Sequence, residues 1–417
     1  MARDEELEAA GRLLGDGLAG MVGIVGDTHR AFSARVGAAL PPVAQPVMAL
    51  HDGLTQGVYA TLAAAHRGIP AAAGQVAALL GSPASPAPSQ TRAGQVALPA
   101  VNGLWGDRIA GDHPVLALPM AVRVGGEDVA LDADALAEAF PAATGRLVVF
   151  VHGWCEHDRA WWWERAAGQP DRASYGDRLR AEHAMTDVYL RYNSGLRISE
   201  NGHGLALLLD ALVAAWPVPV QRLDLVGHSM GGLVVRSACH EGAQREAAWV
   251  PLVHTVVTLG TPHHGAPLAQ GAHAAQWLLR RVPETAPLAR ILASRSGGVR
   301  DLRHGTLVAD DWREEDDDAW LARRVTDVPF LPHATACFLG ATITGDPMHR
   351  VGRLLGDGMV LAPSAMGGPT RGRARHVSLD RGEVPTVGGV HHLALLNHPA
   401  VYRLLEQWLG EVPAAPA

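Results

Sequence analysis

Ser229 stands in the run Gly227-His228-Ser229-Met230-Gly231, with Leu223, Leu225 and Val226 before it and Leu233, Val234 and Val235 after it. The first apolar run suits a buried parallel strand and the second a helix packed on the same sheet, which puts the serine on a strand-to-helix turn. A serine held there in a strained conformation, between two positions without a Cβ, projects its hydroxyl from the sheet edge as a nucleophile does. That hydroxyl is weak until a base takes its proton, and the base needs an orienting carboxylate. Both appear late in the chain. Gly356-Asp357-Gly358-Met359-Val360 carries a carboxylate on a glycine-flanked loop, and Asp346 in Thr-Gly-Asp-Pro is its rival. The Gly-Asp-Gly setting, a tight turn leading into a strand, favours Asp357. Gly388-Gly389-Val390-His391-His392-Leu393 carries two imidazoles just ahead of a helix at 399–409, so His391 competes with His392, which only its position relative to Ser229 and Asp357 singles out. Upstream, the β-branched run from Arg146 to Val151 ends abruptly in His152-Gly153-Trp154, a strand followed by a loop.

Together these segments resemble the lipase branch of the α/β-hydrolase superfamily, and within it the bacterial proteins similar to GPI inositol-deacylase. The resemblance is carried by Val151-His152-Gly153, the turn around Ser229, Thr258-Leu-Gly-Thr-Pro-His263-His264-Gly265, Gly356-Asp357-Gly358 and His392-Leu393, and it spans 147 to about 405. It implies a serine carboxylic-ester hydrolase, an esterase or lipase acting on an ester or lipid substrate without a cofactor, with Ser229, Asp357 and His392 in the chain order of that fold. The oxyanion hole would be formed by the backbone N–H groups of Trp154 and Met230, each such donor being worth about 3–4 kcal/mol of barrier. An acyltransferase sharing the same acyl-enzyme, or a lipid-surface binding protein with a vestigial site, are the alternatives. In true bacterial lipases the His-Leu step is followed by an aspartate that helps hold calcium; Ala394 stands here, and no metal site is expected. The segment from Arg191 to Gly202 also resembles the loop and helix start after the fourth strand of these relatives, with no role readable from it.

The elements that must position these residues are legible as alternating strands and helical spacers, implying a mostly parallel sheet flanked by helices. Strands are expected at 115–118, 120–124, 146–151, 186–192, 223–227, 253–259 and 335–343, with a helical piece at 133–140. The first 80 residues show helical spacing, for instance Val47, Leu50, Leu54, Val58 and Leu62, broken at Gly68-Ile-Pro70, and a proline-rich stretch from Gly81 to Ser89 reads as a stiff, unstructured linker. We therefore expect a helical region and linker over 1–90 and an α/β-hydrolase domain over 91–417. The long interval at about 264–334 would be a cap insertion, and its helix at 268–279 suits a lid.

The acidic run of Asp310, Asp311, Glu314, Glu315, Asp316, Asp317 and Asp318 lacks the spacing of a calcium loop and reads as solvated surface. Trp161, Trp162 and Trp163 cannot all face one core, and with Trp154 and Trp277 they are candidates to wall an acyl site. A net charge of −7, with no Lys/Arg cluster among aromatics, argues against nucleic acid as a partner. Cys155, Cys239 and Cys337 are an odd number without metal-ligand spacing, so no disulfide is expected. The charged, then amphipathic start and the lack of an 18-residue apolar run suggest a cytoplasmic protein without a signal or membrane span.

Overall fold

The computed structural model describes residues 2–82, 85–167, 173–281, 283, 285–313, 325–368, 377 and 382–410. Eight strands form one sheet: β1 (Ala121–Val124), β2 (Glu127–Val129), β3 (Arg146–Val151), β4 (Thr186–Arg191), β5 (Arg222–His228), β6 (Val253–Leu259), β7 (Thr335–Thr342) and β8 (Thr386–Gly388). In chain order the principal helices are α1 (Ala2–Ala39), α2 (Gln45–Leu80), α3 (Arg92–Asp112), α4 (Ala133–Ala139), α5 (Tyr175–His183), α6 (Ile198–Ala215), α7 (Met230–Gln244), α8 (Pro267–Leu279) and α9 (Ala286–Ala293), and a C-terminal helix covers Pro399–Leu409. The chain divides into two compact units, one of Met1–Leu98, Asp107–Ala117 and Gly271–Arg295, the other of Pro99–Gly106, Leu118–Gln270 and Ser296–Ala417.

The second unit holds the sheet, in the order β2-β1-β4-β3-β5-β6-β7-β8. β1 runs antiparallel to β2 and β4, and every other pairing is parallel. This mostly parallel sheet flanked by helices is the α/β-hydrolase fold. Alternation along β3 sends Leu147, Val149 and Val151 to one face, where Leu205 and Leu209 of α6 and Leu233 of α7 cover them, and Val148 and Phe150 to the other, against Trp161, Tyr175, Tyr402 and Leu405. Strand order reverses at β3, between β4 and β5, and the crevice beyond the carboxyl ends of strands at such a point is where open parallel sheets bind ligands.

The first unit is built on the antiparallel pair α1 and α2, brought close by glycine. A Cβ on Gly11 would meet the Pro70 carbonyl oxygen at 2.4 Å, and one on Gly74 the Leu7 oxygen at 2.6 Å. This packing carries α2 straight through Pro70, where the sequence suggested a break: losing one backbone hydrogen bond is offset by the contact with α1 along both halves. Val47, Leu50, Leu54, Val58 and Leu62 lie exposed on α2 rather than in a core. Residues 85–90, expected to be unstructured, are fastened to α1, because the buried Glu6 carboxylate accepts the Ser89 N–H at 2.8 Å and its hydroxyl at 2.7 Å. Asp27 of α1 pairs with Arg290 of α9.

Other differences from the expected elements are local. α3 lies ahead of the first expected strand, in a stretch for which no element was expected, and Thr91 caps it by accepting the Gly94 N–H. At 114–116 a 3-10 turn replaces a strand, since Pro114 fixes φ and starts the turn. Among the described residues no helix is long and apolar enough to cross a membrane.

Candidate active site

β5 delivers Ser229 at φ 52° and ψ −122°, the conformation of a sharp strand-to-helix turn, and a non-glycine residue held there costs about 1–3 kcal/mol. The surrounding fold enforces it. A Cβ on Gly227 would lie 2.5 Å from Gly232 Cα, and one on Gly231 would lie 2.3 Å from the carbonyl oxygens of Val151 and His152, so both flanking positions require glycine. The turn thus presses against the end of β3, where a Cβ on Gly153 would stand 3.0 Å from Ser229 Cβ.

The two backbone N–H groups expected as oxyanion donors have different settings. The Met230 N–H opens α7, where the first-turn amides have no intrahelical acceptor. The Trp154 N–H sits between two anchored neighbours: Gly153 donates to Glu156 Oε2 at 2.6 Å, and Cys155, in the left-handed region at φ 60°, donates to Ser194 Oγ at 3.0 Å. Ser194 belongs to the segment 191–202, whose part becomes visible here. It braces the loop after β3, with Asn193 tied to Gly106 and Gly195 and Asn201 tied to the Asn193 carbonyl.

Asp357 and His392 meet although 35 residues separate them. Asp357 Oδ2 lies 2.7 Å from His392 Nδ1, with both side chains buried. The other carboxylate oxygen, Oδ1, accepts the N–H groups of Met359 at 3.0 Å and Val360 at 2.8 Å, and the Asp357 carbonyl accepts the His392 N–H at 3.0 Å. Gly356 at φ +60° and Gly358 at φ +96° permit this turn, which leads not into the strand expected but into a short helix, Ala362–Ala365. Gly260, at φ +59° after β6, closes over the pair: a Cβ there would come 3.0 Å from Asp357 Oδ2 and 3.3 Å from His392 Cε1. The rivals lie apart from this pair. Asp346 is exposed and accepts the Met348 N–H of its own turn, while His391 is exposed and caps the 3-10 turn His392–Leu396.

Sequence reasoning passed over Glu156 and His228. His228 Nδ1 lies 2.9 Å from Glu156 Oε1, and its Nε2 lies 3.1 Å from the His392 carbonyl oxygen. The two His rings are 4.8 Å apart. Burial works against charge on both partners, yet each favours the charged form of the other: the His228 pKa is raised and that of Glu156 lowered. The stabilisation from Glu156 is therefore present above its unfolded pKa and lost as pH falls through the folded one, and that from His228 is present below its unfolded pKa and lost as pH rises through its folded one. His152, by contrast, is stacked on Tyr192 and pushed down to about 4 by burial, so it is neutral at pH 7. His263, in contact with Arg236 and Thr258, is held well below the usual range by burial and the guanidinium.

The tryptophans divide by role. Trp161 is a core residue against Phe150, and Trp162 packs on Tyr189 while donating to Asp177. The Trp163 side chain lies outside the described residues. Trp154 donates its indole N–H to the Gly103 carbonyl, and Trp277 carries the Arg281 guanidinium over its ring. Burial drives all three free cysteine thiols up to about 12, so none is a thiolate nucleophile near neutral pH.

Of the acidic run, Asp311 is buried and accepts the Thr326 N–H at 2.7 Å, whereas 314–318 lie outside the described residues. Ala394 is buried in the core. Among the described residues, Glu182, His183 and Glu406 form a group with metal-ligand spacing, but Tyr402 and Arg178 already engage Glu182.

The chain is similar in part to a lipase. A triacylglycerol lipase of Burkholderia plantarii is 30% identical to it over 159 residues, 36% of this chain and 39% of that protein. The chain thus spans about two fifths of the length of the curated relative it matches. Residues 127–301 match a family described as a domain of unknown function, DUF7379. Among solved structures, the mature form of Bacillus licheniformis lipase BlEst2 is similar over 64% of this chain and 93% of its own, with a TM-score of 0.41 and 20% identity. Carboxylesterase CesB of Bacillus subtilis is similar over 64% of this chain and 85% of its own, with a TM-score of 0.33 and 12% identity.

Proposed function

We propose that this protein is a serine hydrolase of carboxylic esters, of the lipase and esterase kind, working through an acyl-enzyme on Ser229. The observation that carries this reading is the buried 2.7 Å contact between His392 and Asp357 beside a strained serine turn. Because the Asp357 carboxylate accepts a hydrogen bond from His392 Nδ1–H, the lone pair of His392 is left on Nε2, the tautomer a general base needs. Ser229 Oγ attacks the ester carbonyl as its proton passes to His392. The imidazolium, stabilised by Asp357, returns that proton to the leaving alcohol, and water releases the acid by the same route. The N–H groups of Trp154 and Met230 receive the oxyanion, each contributing about 3–4 kcal/mol to the barrier reduction.

The partial match to a triacylglycerol lipase, beside the motif resemblance to bacterial proteins similar to GPI inositol-deacylase, makes lipid acyl esters the first natural substrates to try. The domain division at about residue 90, with a cap at about 264–334, belongs to the same proposal. A series of p-nitrophenyl esters from acetate to palmitate is expected to be hydrolysed, with a preference that reports the acyl chain. Added alcohol acceptors separate hydrolysis from acyl transfer by their products. An absence of turnover across the series, together with no labelling by a fluorophosphonate, would remove the reading. Dialysis against EDTA is expected to leave turnover and melting temperature unchanged, since Ala394 replaces the calcium-ligand aspartate of true bacterial lipases. A drop in melting temperature that calcium restores would assign ligands elsewhere in the chain.

A further inference from the structure

The Glu156–His228 pair lies at the junction of three segments that the proposed reaction needs in register. Glu156 closes the loop after β3, accepting the Gly153 N–H at 2.6 Å one residue before the Trp154 donor. His228 immediately precedes Ser229, and its Nε2 reaches the carbonyl oxygen of His392, 164 positions away. The protonation state of the His228 ring follows from its partners. A backbone carbonyl only accepts, and so does an ionised carboxylate that already takes a backbone N–H. Both ring nitrogens must therefore donate, which makes His228 an imidazolium lodged against the base. A neutral ring has a single N–H and can serve only one of these partners.

We propose that Glu156 and His228 form a positioning clamp, in which one buried ion pair fixes the oxyanion loop and the His392 segment to the turn that carries Ser229. This rests on the serine-hydrolase reading above. Neither residue touches the reacting atoms; they act by holding the Trp154 N–H and the His392 ring at their working distances, and a misplacement of about 1 Å in such groups costs on the order of 100-fold in rate. Glu156→Gln removes the charge that keeps His228 doubly protonated, and His228→Gln removes the ring, so each opens the same clamp.

The test uses the full chain, with a soluble p-nitrophenyl ester that the wild type hydrolyses. Glu156→Gln and His228→Gln are each expected to lower kcat about 10- to 100-fold, with KM within about threefold, at temperatures well below their melting transitions. Because both substitutions break one unit, the double variant is expected to lose no more than the worse single. A folded single variant with wild-type kcat, or a double variant whose loss is the product of the two singles, overturns the clamp.

The wild type supplies a measurement that does not depend on a variant folding. Two slowly exchanging ring protons on His228 at pH 7 in 1H–15N spectra are expected, and a single ring proton overturns the proposal. These outcomes are separable from failure of the functional reading. If the wild type neither turns over esters nor labels at Ser229, that reading falls whatever the His228 spectrum shows, whereas full activity in the variants removes the clamp alone.

Discussion

Replacing Ser229 by alanine is expected to abolish labelling by a fluorophosphonate probe and to lower ester turnover by on the order of 10⁶-fold, the scale of losing a triad nucleophile. The expectation follows from the turn itself. Its φ of 52° places a hydroxyl, rather than a packed methyl, beside the loop that carries Gly153 and Trp154, and few pressures other than chemistry retain such strain in a side-chain-bearing residue. The same substitution leaves the flanking glycine contacts intact, so the variant should fold and melt close to the wild type. Mass spectrometry of the labelled wild type should find the probe on the peptide containing Ser229 and on no other. An alanine variant that still turned over esters, or a label on another serine, would falsify the mechanism.

Asp357→Asn is expected to lower kcat by about 10⁴-fold, the effect of losing the acid of a triad while its geometry survives. The hydrogen bonds give the reason in detail. Asp357 Oδ1 accepts two backbone N–H groups, from Met359 and Val360, so in the asparagine variant the amide oxygen must stay there and the NH2 group must face His392. An NH2 group donates, which forces His392 Nδ1 to accept and moves the ring proton to Nε2, the side from which the base should work. Asp346→Asn is expected to change kcat by less than about twofold, because an exposed amide oxygen can still accept the Met348 N–H. Paired measurements of the two variants decide the acid. A large loss at Asp346 with a mild one at Asp357 would transfer the role.

The most legible features were those whose causes are local. Glycine at 227 and 231 follows from a turn with no room for a Cβ, and contacts of 2.5 and 2.3 Å bear that out. The β-branched run at 146–151 and the apolar strands at 253–259 and 335–342 follow from burial on both faces of a parallel sheet, and their boundaries agree with the sequence to within a residue or so. Less legible were segments whose short-range signals are ambiguous. The stretch expected as a strand at 115–118 opens with a 3-10 turn fixed by Pro114, and the helix broken on paper at Pro70 runs on because α1 packs along it.

The sequence by itself determined the central parallel strands, the serine turn and the chemical types available late in the chain, because hydrophobic period and glycine sterics act over a few residues. It left the choice between Asp357 and Asp346, and between His392 and His391, to argument from order and setting. Only the tertiary structure joined Asp357 to His392 and turned His391 and Asp346 outward, since that choice depends on how the loop after β7 meets the turn after β8. It also brought Glu156, His228 and the His392 carbonyl into one buried contact across 72 and 164 positions of sequence. No periodicity encodes such a contact. A histidine and a glutamate look the same in a sequence whether they face water or each other, and burial next to an opposite charge, which only the fold supplies, is what makes them an ion pair.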